Sequence, residues 1–275
     1  MKTPLTYFGG KQKMVPVILP LIPDHTLYCE PFIGGGAIFW AKEQSPVEVI
    51  NDTNREIINF YRVIQNDFVS LEKEVRVSLH SRDLHRKASV VYNNPDMFSE
   101  LKRAWAVWIL TQQGFAGIID SSWGYDITKP THSKKIANKR SEFAEDLAVR
   151  LQQVQIECAD ALRIITSRDS EGSFFYCDPP YYNADMAHYD GYTQEDFEML
   201  LKKLSNIDGK FLLSSYPSDL LKQYTTEQGW HTKTIESIVS VSRKKTAQKK
   251  KIESLEINLE RSRNSLEVYE QQQSE

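Results

Sequence analysis

A carboxylate, two prolines and an aromatic ring follow one another at Asp178, Pro179, Pro180 and Tyr181, directly after the apolar run FFYC. The prolines fix φ and cannot donate hydrogen bonds, so the Asp178 carboxylate and the Pro179 carbonyl would face outward as acceptors at a strand end. A primary amine with two hydrogens fits between two such acceptors, and Tyr181 offers a face for stacking a planar ring. The alternative is a stiffened strand exit in which Asp178 is only a cap.

A glycine-rich turn forms the second candidate site. The sequence EPFIGGGAIFW, residues 30–40, places three glycines between a predicted strand and a predicted helix, which is the context of a nucleotide-binding turn. Its spacing differs from GxGxxG, and it lacks the Lys-Ser/Thr pair of a phosphate-binding loop, so the dinucleotide and ATP interpretations are disfavoured. By itself the turn could equally be only a tight connection.

Asp52 lies at the carboxyl end of the next predicted strand, VEVIND. A carboxylate at this position can accept hydrogen bonds from both ribose hydroxyls of an adenosine. A lone Asp before Thr53 and Asn54 would more often cap a helix. Together with the glycine turn, Asp52 favours an adenosine-containing cofactor.

Alternating strand and helix patterns position these residues. The predicted strands begin at Thr26, Val47, Val154, Ser173, Lys210 and Trp230. With helical patterns between most of them, they predict an α/β fold with a doubly wound, mostly parallel sheet. Residues 69–150 break the alternation, because they carry the helical pattern ELKRAWAVWILTQ and then a stretch of glycines and aromatics. We expect them to form an inserted, mainly helical lobe with a hairpin or loop at its edge.

The overall composition excludes some classes of protein. A net charge of -3 over 275 residues argues against a wholly basic nucleic-acid coat and leaves local basic patches for such a partner. Cys29, Cys158 and Cys177 stand singly in apolar runs, which is typical of reduced core thiols and a weak pattern for metal ligands. No apolar run has the length of a signal peptide or a membrane span, so we expect a cytoplasmic, soluble protein without a membrane partner.

Seven motifs in a fixed order resemble the Dam-type DNA adenine-N6 methyltransferases: YFGGKQKM, EPFIGGGA, VEVINDTNREIINFY, ECADALRII, DPPYY, FLLSSY and IESLEIN. The resemblance implies a Rossmann-like methyltransferase sheet whose catalytic core, residues 1–65 and 151–260, is interrupted by a target-recognition insert, residues 66–150. Residues 261–275 would be a polar tail.

The resemblance also implies S-adenosylmethionine as cofactor, S-adenosylhomocysteine as product and no metal. The implied cofactor-binding residues are Tyr7, Lys11, Phe32, Gly34, Gly36, Asp52, Asp160 and Asp178.

The activity implied by the resemblance is site-specific methyl transfer to N6 of a flipped-out adenine in double-stranded DNA, with Asp178 to Tyr181 around the base. Asp/Asn-Pro-Pro-Tyr enzymes also methylate other amino groups, so RNA or cytosine N4 remains an alternative target. A catalytically inactive DNA-binding relative is a further alternative. The recognition sequence cannot be transferred, since QQGFAGIIDSSWGYDI differs from the Asn- and Arg-rich segment of many family members. We leave a cognate restriction endonuclease open as a partner and expect a monomer or weak dimer.

The insert contains two groups of candidate DNA-contacting residues. The basic run HSKKIANKR would bind phosphates, although a charged run is usually a solvated face; its residues are Lys134, Lys135, Lys139 and Arg140. The aromatic and glycine-rich loop contributes Phe115, Trp123 and Tyr125. A later basic run, RKKTAQKKK at residues 243–251, could contact DNA or form a turn before a final strand. Residues after Asn258 receive no family role.

Overall fold

The computed structural model describes residues 1–119, 121–183, 191–238 and 250–258. The polar tail and most of the basic run at residues 243–251 therefore lie outside the described residues. The chain divides into two compact units. The first unit comprises Met1–Leu19 and Ile33–Ala159, and the second comprises Pro20–Phe32 and the described part of Asp160–Glu275.

Strands and helices alternate at both ends of the chain, and helices fill its middle. The strands are β1 Leu27–Glu30, β2 Val47–Asn51, β3 Gln155–Glu157, β4 Ser173–Cys177, β5 Lys210–Ser215, β6 His231–Ile238 and β7 Lys250–Ile257. The α-helices are α1 Val15–Ile18, α2 Ala37–Ala41, α3 Arg55–Asn66, α4 Phe68–Val77, α5 Arg82–Asn93, α6 Glu100–Gln113, α7 Thr131–Ser141, α8 Asp146–Leu151, α9 Ala161–Arg168, α10 Gln194–Leu204 and α11 Asp219–Gln228. Short 3-10 helices cover Leu19–Leu21, Pro95–Met97 and Phe115–Gly117. This order confirms the predicted α/β class.

The first unit is built around α6. This helix packs against α3, α4, α5 and α7, and its side chains from Ala104 to Gln113 are all buried. A helix that is enclosed on every side carries apolar residues all round, which explains the pattern AWAVWIL. Beside the helices, β2 pairs in parallel with β3, with Ile50 opposite Ile156. The predicted insert therefore shares one compact unit with β2 and the glycine turn.

The second unit contains the strand order β1-β4-β5-β7-β6. β1, β4 and β5 run parallel, whereas β7 is antiparallel to both β5 and β6. Every residue of β4 is buried, which accounts for the continuous apolar run before Asp178. The antiparallel pair at the end of this order confirms that the sheet is mostly, and not wholly, parallel.

The structure describes the burial of the three cysteines and the length of the helices. Cys29 and Cys177 are buried and Cys158 is half-buried, and all three are free thiols. Among the described helices, none is both long and apolar enough to cross a membrane.

Candidate functional site

The glycine turn of the first unit adopts a backbone conformation that favours glycine. Gly34 has a φ of +44° and Gly36 a φ of +64°, both in the left-handed region. A Cβ on Gly34 would lie 3.0 Å from Tyr7 Cε1, and one on Gly35 would lie 2.7 Å from Tyr7 Cβ. The Tyr7 side chain therefore packs directly against the turn, and the space left by the missing side chains is already taken by its ring and Cβ.

Hydrogen bonds hold the turn in this shape. Asp52 Oδ2 accepts from the Gly34 amide at 2.9 Å, and the Tyr61 hydroxyl donates to the Gly34 carbonyl at 2.8 Å. The Thr3 hydroxyl donates to the Gly35 carbonyl. Tyr61 is fully buried, so the turn rests on a rigid part of the first unit.

Asp52 anchors the turn and is not the cap of the following helix. Its Oδ1 accepts from the Asn54 amide at 2.9 Å, while the Asn54 side chain caps α3 by accepting from the Glu56 and Ile57 amides. Burial raises the pKa of Asp52, and backbone hydrogen bonds from Asn54, Gly34 and Thr53 oppose that rise. A carboxylate has about four lone-pair sites. The three backbone bonds therefore leave about one of these sites on Asp52 for a ligand.

Lys11 lies beside the same turn of chain that carries Tyr7. The Gly10 amide donates to the Tyr7 carbonyl at 3.1 Å, and Gly9 has a φ of +75°, so the chain reverses tightly here. The Lys11 side chain is only 5% exposed, and its ammonium donates to the Gly9 carbonyl at 3.1 Å. The motif YFGGKQKM thus brings an aromatic ring and a buried cation to one tight turn of the first unit.

In the second unit the tetrad after β4 forms a chain of hydroxyls leading to a carboxylate. The Tyr181 hydroxyl donates to Asp178 Oδ1 at 3.1 Å and lies 2.9 Å from Ser214 Oγ. Ser214 is on β5, which pairs with β4, and it is fully buried. The Tyr181 ring is 8% exposed and packs against Tyr216, with ring centroids 4.5 Å apart.

The direction of these hydrogen bonds follows from the charges. Burial and the nearby Asp178 carboxylate raise the pKa of Tyr181 well above its usual value, so its hydroxyl keeps its proton. An ionised carboxylate can only accept, and a phenol has one proton to give. Tyr181 therefore donates to Asp178 and accepts from Ser214.

The sequence motif FLLSSY gave no role to Ser214 or Tyr216. Only the pairing of β4 with β5 brings these two residues to the tetrad.

A half-buried tyrosine of the second unit, Tyr192, has a buried hydroxyl and lies near Phe32 and Asp160. The Phe32 ring meets Tyr192 edge to face with centroids 6.5 Å apart. The Tyr192 hydroxyl is buried without a hydrogen-bond partner among the described residues, and burial raises its pKa, with smaller contributions from Cys177, Asp196 and Asp160. Asp160 Oδ1 caps α9 by accepting from the Arg163 amide at 3.0 Å. Phe32 and Asp160 thus lie near a phenol whose hydroxyl has capacity for a ligand contact.

The aromatic loop of the insert is a small closed hairpin. Gly114 and Trp123 form an antiparallel bridge, and the Phe115 amide donates to the Ser122 carbonyl at 2.9 Å. Phe115 and Tyr125 are 43% and 54% exposed, so both aromatic rings are accessible to a partner. The hairpin or loop expected here is therefore present.

Three of the four predicted phosphate-binding residues make hydrogen bonds within the protein. Lys135 donates to the Gln112 carbonyl at 3.3 Å, Lys139 to the Thr3 carbonyl at 2.6 Å, and Arg140 to the Arg76 carbonyl at 3.0 Å. Burial and the neighbouring Lys139 lower the pKa of Lys135 to about 8. Lys134 alone of the four is classed as exposed. Binding of these residues to DNA stays a prediction.

The described residues contain no cluster of three or more His, Cys, Asp or Glu side chains that could hold a metal ion.

The chain is similar to a family of DNA methyltransferases and to individual members of it. The D12 class N6 adenine-specific DNA methyltransferase family matches residues 7–255. The Type II methyltransferase M1.LlaDCHI of Lactococcus lactis subsp. cremoris is 28% identical over 211 residues, which cover 69% of this chain and 69% of the relative. The Type II methyltransferase M.MjaIII of Methanocaldococcus jannaschii is 25% identical over 242 residues, covering 77% and 83% of the two chains. The DNA adenine methylase of Serratia marcescens is 22% identical over 239 residues, covering 81% and 83%.

Proposed function

Because the chain belongs to the D12 class N6 adenine-specific DNA methyltransferase family, we propose a role in that reaction for each part of the candidate site. The protein is an enzyme that methylates adenine in DNA. The observation that carries the proposal is the hydroxyl chain from Ser214 through Tyr181 to Asp178, which fixes the orientation of the Asp178 carboxylate.

The glycine turn and Asp52 fit the adenosine part of S-adenosylmethionine. Gly34 and Gly36 adopt left-handed φ values that favour glycine, the Gly34 amide is bonded to Asp52, and Asp52 keeps an acceptor site for a ribose hydroxyl. When bound, S-adenosylmethionine supplies an electrophilic methyl group on its sulfonium. Tyr7 and Lys11 are proposed to contact the same ligand, since both lie on the tight turn described above. For Phe32 and Asp160, cofactor contact stays a prediction.

Asp178 is proposed to bind the amino group that receives the methyl. The lone pair of adenine N6 is delocalised into the purine ring, so the amine is a poor nucleophile until it is reoriented. Acceptance of its two hydrogens by the Asp178 carboxylate and the Pro179 carbonyl would favour a tetrahedral nitrogen and direct the lone pair at the methyl group. This contribution is positioning and electrostatic stabilisation.

N6 is paired inside a duplex, so the adenine has to leave the helix before Asp178 can reach it. Extrusion of a base costs a few kcal/mol. Insertion of an apolar residue of the insert is proposed to offset that cost. Stacking of the base on Tyr181, which is 8% exposed in the protein, stays a prediction.

Base-resolved sequencing of DNA from cells that express the protein tests the proposed function. We expect N6-methyladenine in one recurring sequence context, and none in cells expressing the Asp178→Ala variant. Methylation of cytosine N4, or methylated RNA with unmodified DNA, would favour the alternative targets instead. The type II names of two relatives motivate a search for a partner endonuclease in the same experiment.

Ser214→Ala is expected to lower kcat about 5- to 30-fold with little change in KM for DNA, because Tyr181 then loses the donor that directs its proton to Asp178. Loss of one buried hydrogen bond of about 1 to 2 kcal/mol sets this range. The neighbouring Ser215→Ala is the matched control, since the Ser215 hydroxyl donates to the Tyr216 carbonyl and not to Tyr181 among the described residues. In a double-mutant cycle, Ser214→Ala should add nothing to Tyr181→Phe. Additive losses would show that Ser214 acts independently of Tyr181.

Lys134→Ala is expected to weaken binding to every duplex alike and to reduce the salt dependence of affinity by about one phosphate contact. Lys135→Ala is the comparison, because Lys135 donates to the Gln112 carbonyl and is expected to lower Tm with little effect on the salt slope. Equal changes in the salt slope of affinity in both variants would indicate that both lysines bind phosphates.

A further inference from the structure

An exposed arginine that sequence reasoning did not single out lies against the aromatic hairpin. Arg82, the first residue of α5, has its guanidinium carbon 4.8 Å from the centroid of the Trp123 ring and 5.9 Å from that of Tyr125. Its sequence neighbour Asp83 pairs with Arg86 and Lys87 instead. Among the described residues, Arg82 has no carboxylate partner. It is therefore an exposed cation in contact with two aromatic rings.

A buried amide joins the start of α5 to the hairpin. Gln113 is fully buried, and its Oε1 accepts from the Ser81 amide at 3.0 Å and from Trp123 Nε1 at 3.2 Å. Its Nε2 donates to the Leu79 carbonyl at 2.9 Å. These bonds fix the backbone from which Arg82 extends and the ring on which it rests.

A histidine adds a second connection between the same two segments. His80 Nε2 donates to the Gly124 carbonyl at 2.8 Å, and the His80 ring lies 4.6 Å from that of Trp123. The Trp123 and Tyr125 rings stack at 5.8 Å with an interplanar angle of 19°. Arg82 thus extends over a platform whose position is fixed before any partner binds, so little side-chain freedom would be lost on binding.

We propose that Arg82 reads a guanine in the recognition sequence by donating two hydrogen bonds to the base edge. The guanidinium fork matches the O6 and N7 acceptors that guanine presents in the major groove, and this pairing is the commonest specific contact of arginine with DNA. A fixed fork suits such a pair of acceptors, whereas a flexible side chain such as that of Lys134 suffices for a phosphate. The inference rests on the proposed role of the insert in recognising DNA.

The test first compares the methylated-site profiles of the wild type, Arg82→Lys and Arg82→Ala on the same genomic DNA. It then measures methylation of duplexes in which each guanine of the preferred site is replaced in turn by 7-deazaguanine. We expect Arg82→Lys, which keeps the charge but not the fork, to lose discrimination at one guanine by roughly 5- to 150-fold. The 7-deaza substitution at that guanine should impair the wild type and leave Arg82→Ala unaffected. Arg86→Ala is the matched control, because it removes an exposed arginine of the same helix that pairs with Asp83.

Three outcomes would overturn the inference. The first is an unchanged methylated-site profile in both Arg82 variants, and the second is a preferred site that contains no guanine. The third is an equal loss of affinity on every sequence, in which the salt slope is reduced in Arg82→Ala and normal in Arg82→Lys. The last of these would make Arg82 a phosphate contact. Failure of the proposed function is a separate result, since the wild-type protein would then leave no N6-methyladenine in any context.

Discussion

Replacing Asp178 by Ala is expected to reduce methyl transfer by about 10³-fold or more, which is at the upper end of the effect of removing one group that stabilises a transition state. The carboxylate acts mainly as N6 changes geometry, so DNA affinity should fall far less than turnover. The fold should persist, because Tyr181 keeps a hydrogen-bond partner in Ser214 when Asp178 is removed. The measurement is single-turnover methyl transfer together with DNA binding by the same preparation.

Asp178→Asn is the graded control for this experiment. The amide retains one oxygen acceptor but has no charge, and its activity should lie between those of the wild type and the Ala variant. Turnover at the wild-type rate in Asp178→Ala would contradict the mechanism. Equal losses of turnover and DNA affinity would instead indicate that Asp178 binds DNA without a specific part in catalysis.

Replacing Asp52 by Ala is expected to weaken binding of S-adenosylmethionine by about 10- to 150-fold. One hydrogen bond from a ribose hydroxyl to a charged acceptor would be lost, worth roughly 1.5 to 3 kcal/mol. The Gly34 and Asn54 amides also lose their acceptor, which loosens the glycine turn and acts in the same direction. Calorimetry with S-adenosylmethionine, at a temperature where both proteins are folded, gives the two dissociation constants.

Asn54→Ala separates the role of the ligand site from that of helix stability. Asn54 caps α3 through its side chain, so its replacement should cost about 1 kcal/mol of stability and leave the cofactor dissociation constant nearly unchanged. An unchanged dissociation constant in Asp52→Ala would remove Asp52 from the site. A similar weakening in both variants would assign the effect to α3 and its cap.

Local patterns predicted the parts of the fold that depend on neighbouring residues. The apolar run before Asp178 is a fully buried strand, and the glycines of residues 34–36 form the predicted turn between a strand and a helix. The alternatives for Asp52 were open because a cap and a ligand-binding carboxylate have the same sequence pattern. The structure separates them, since the neighbouring Asn54 is the residue that caps α3.

Contacts between distant residues could not be read from local patterns. Ser214 reaches Tyr181 across 33 residues because β5 lies beside β4, and Lys139 reaches the Thr3 carbonyl across 136 residues. A basic run on an otherwise polar helix therefore predicted solvent or phosphate contacts, whereas two of its lysines are half-buried. The stack of Arg82 on Trp123 also arises only after α6 brings Gln113 between the two segments.

Transfer of a tritiated methyl group from S-adenosylmethionine to duplex DNA, followed by digestion to nucleosides, tests the central claim most directly. The purified protein should place the label in N6-methyladenine, and Asp178→Ala should place none there while it still binds DNA. Label in N4-methylcytosine, or no label from a wild-type protein that binds both the cofactor and DNA, would contradict the account.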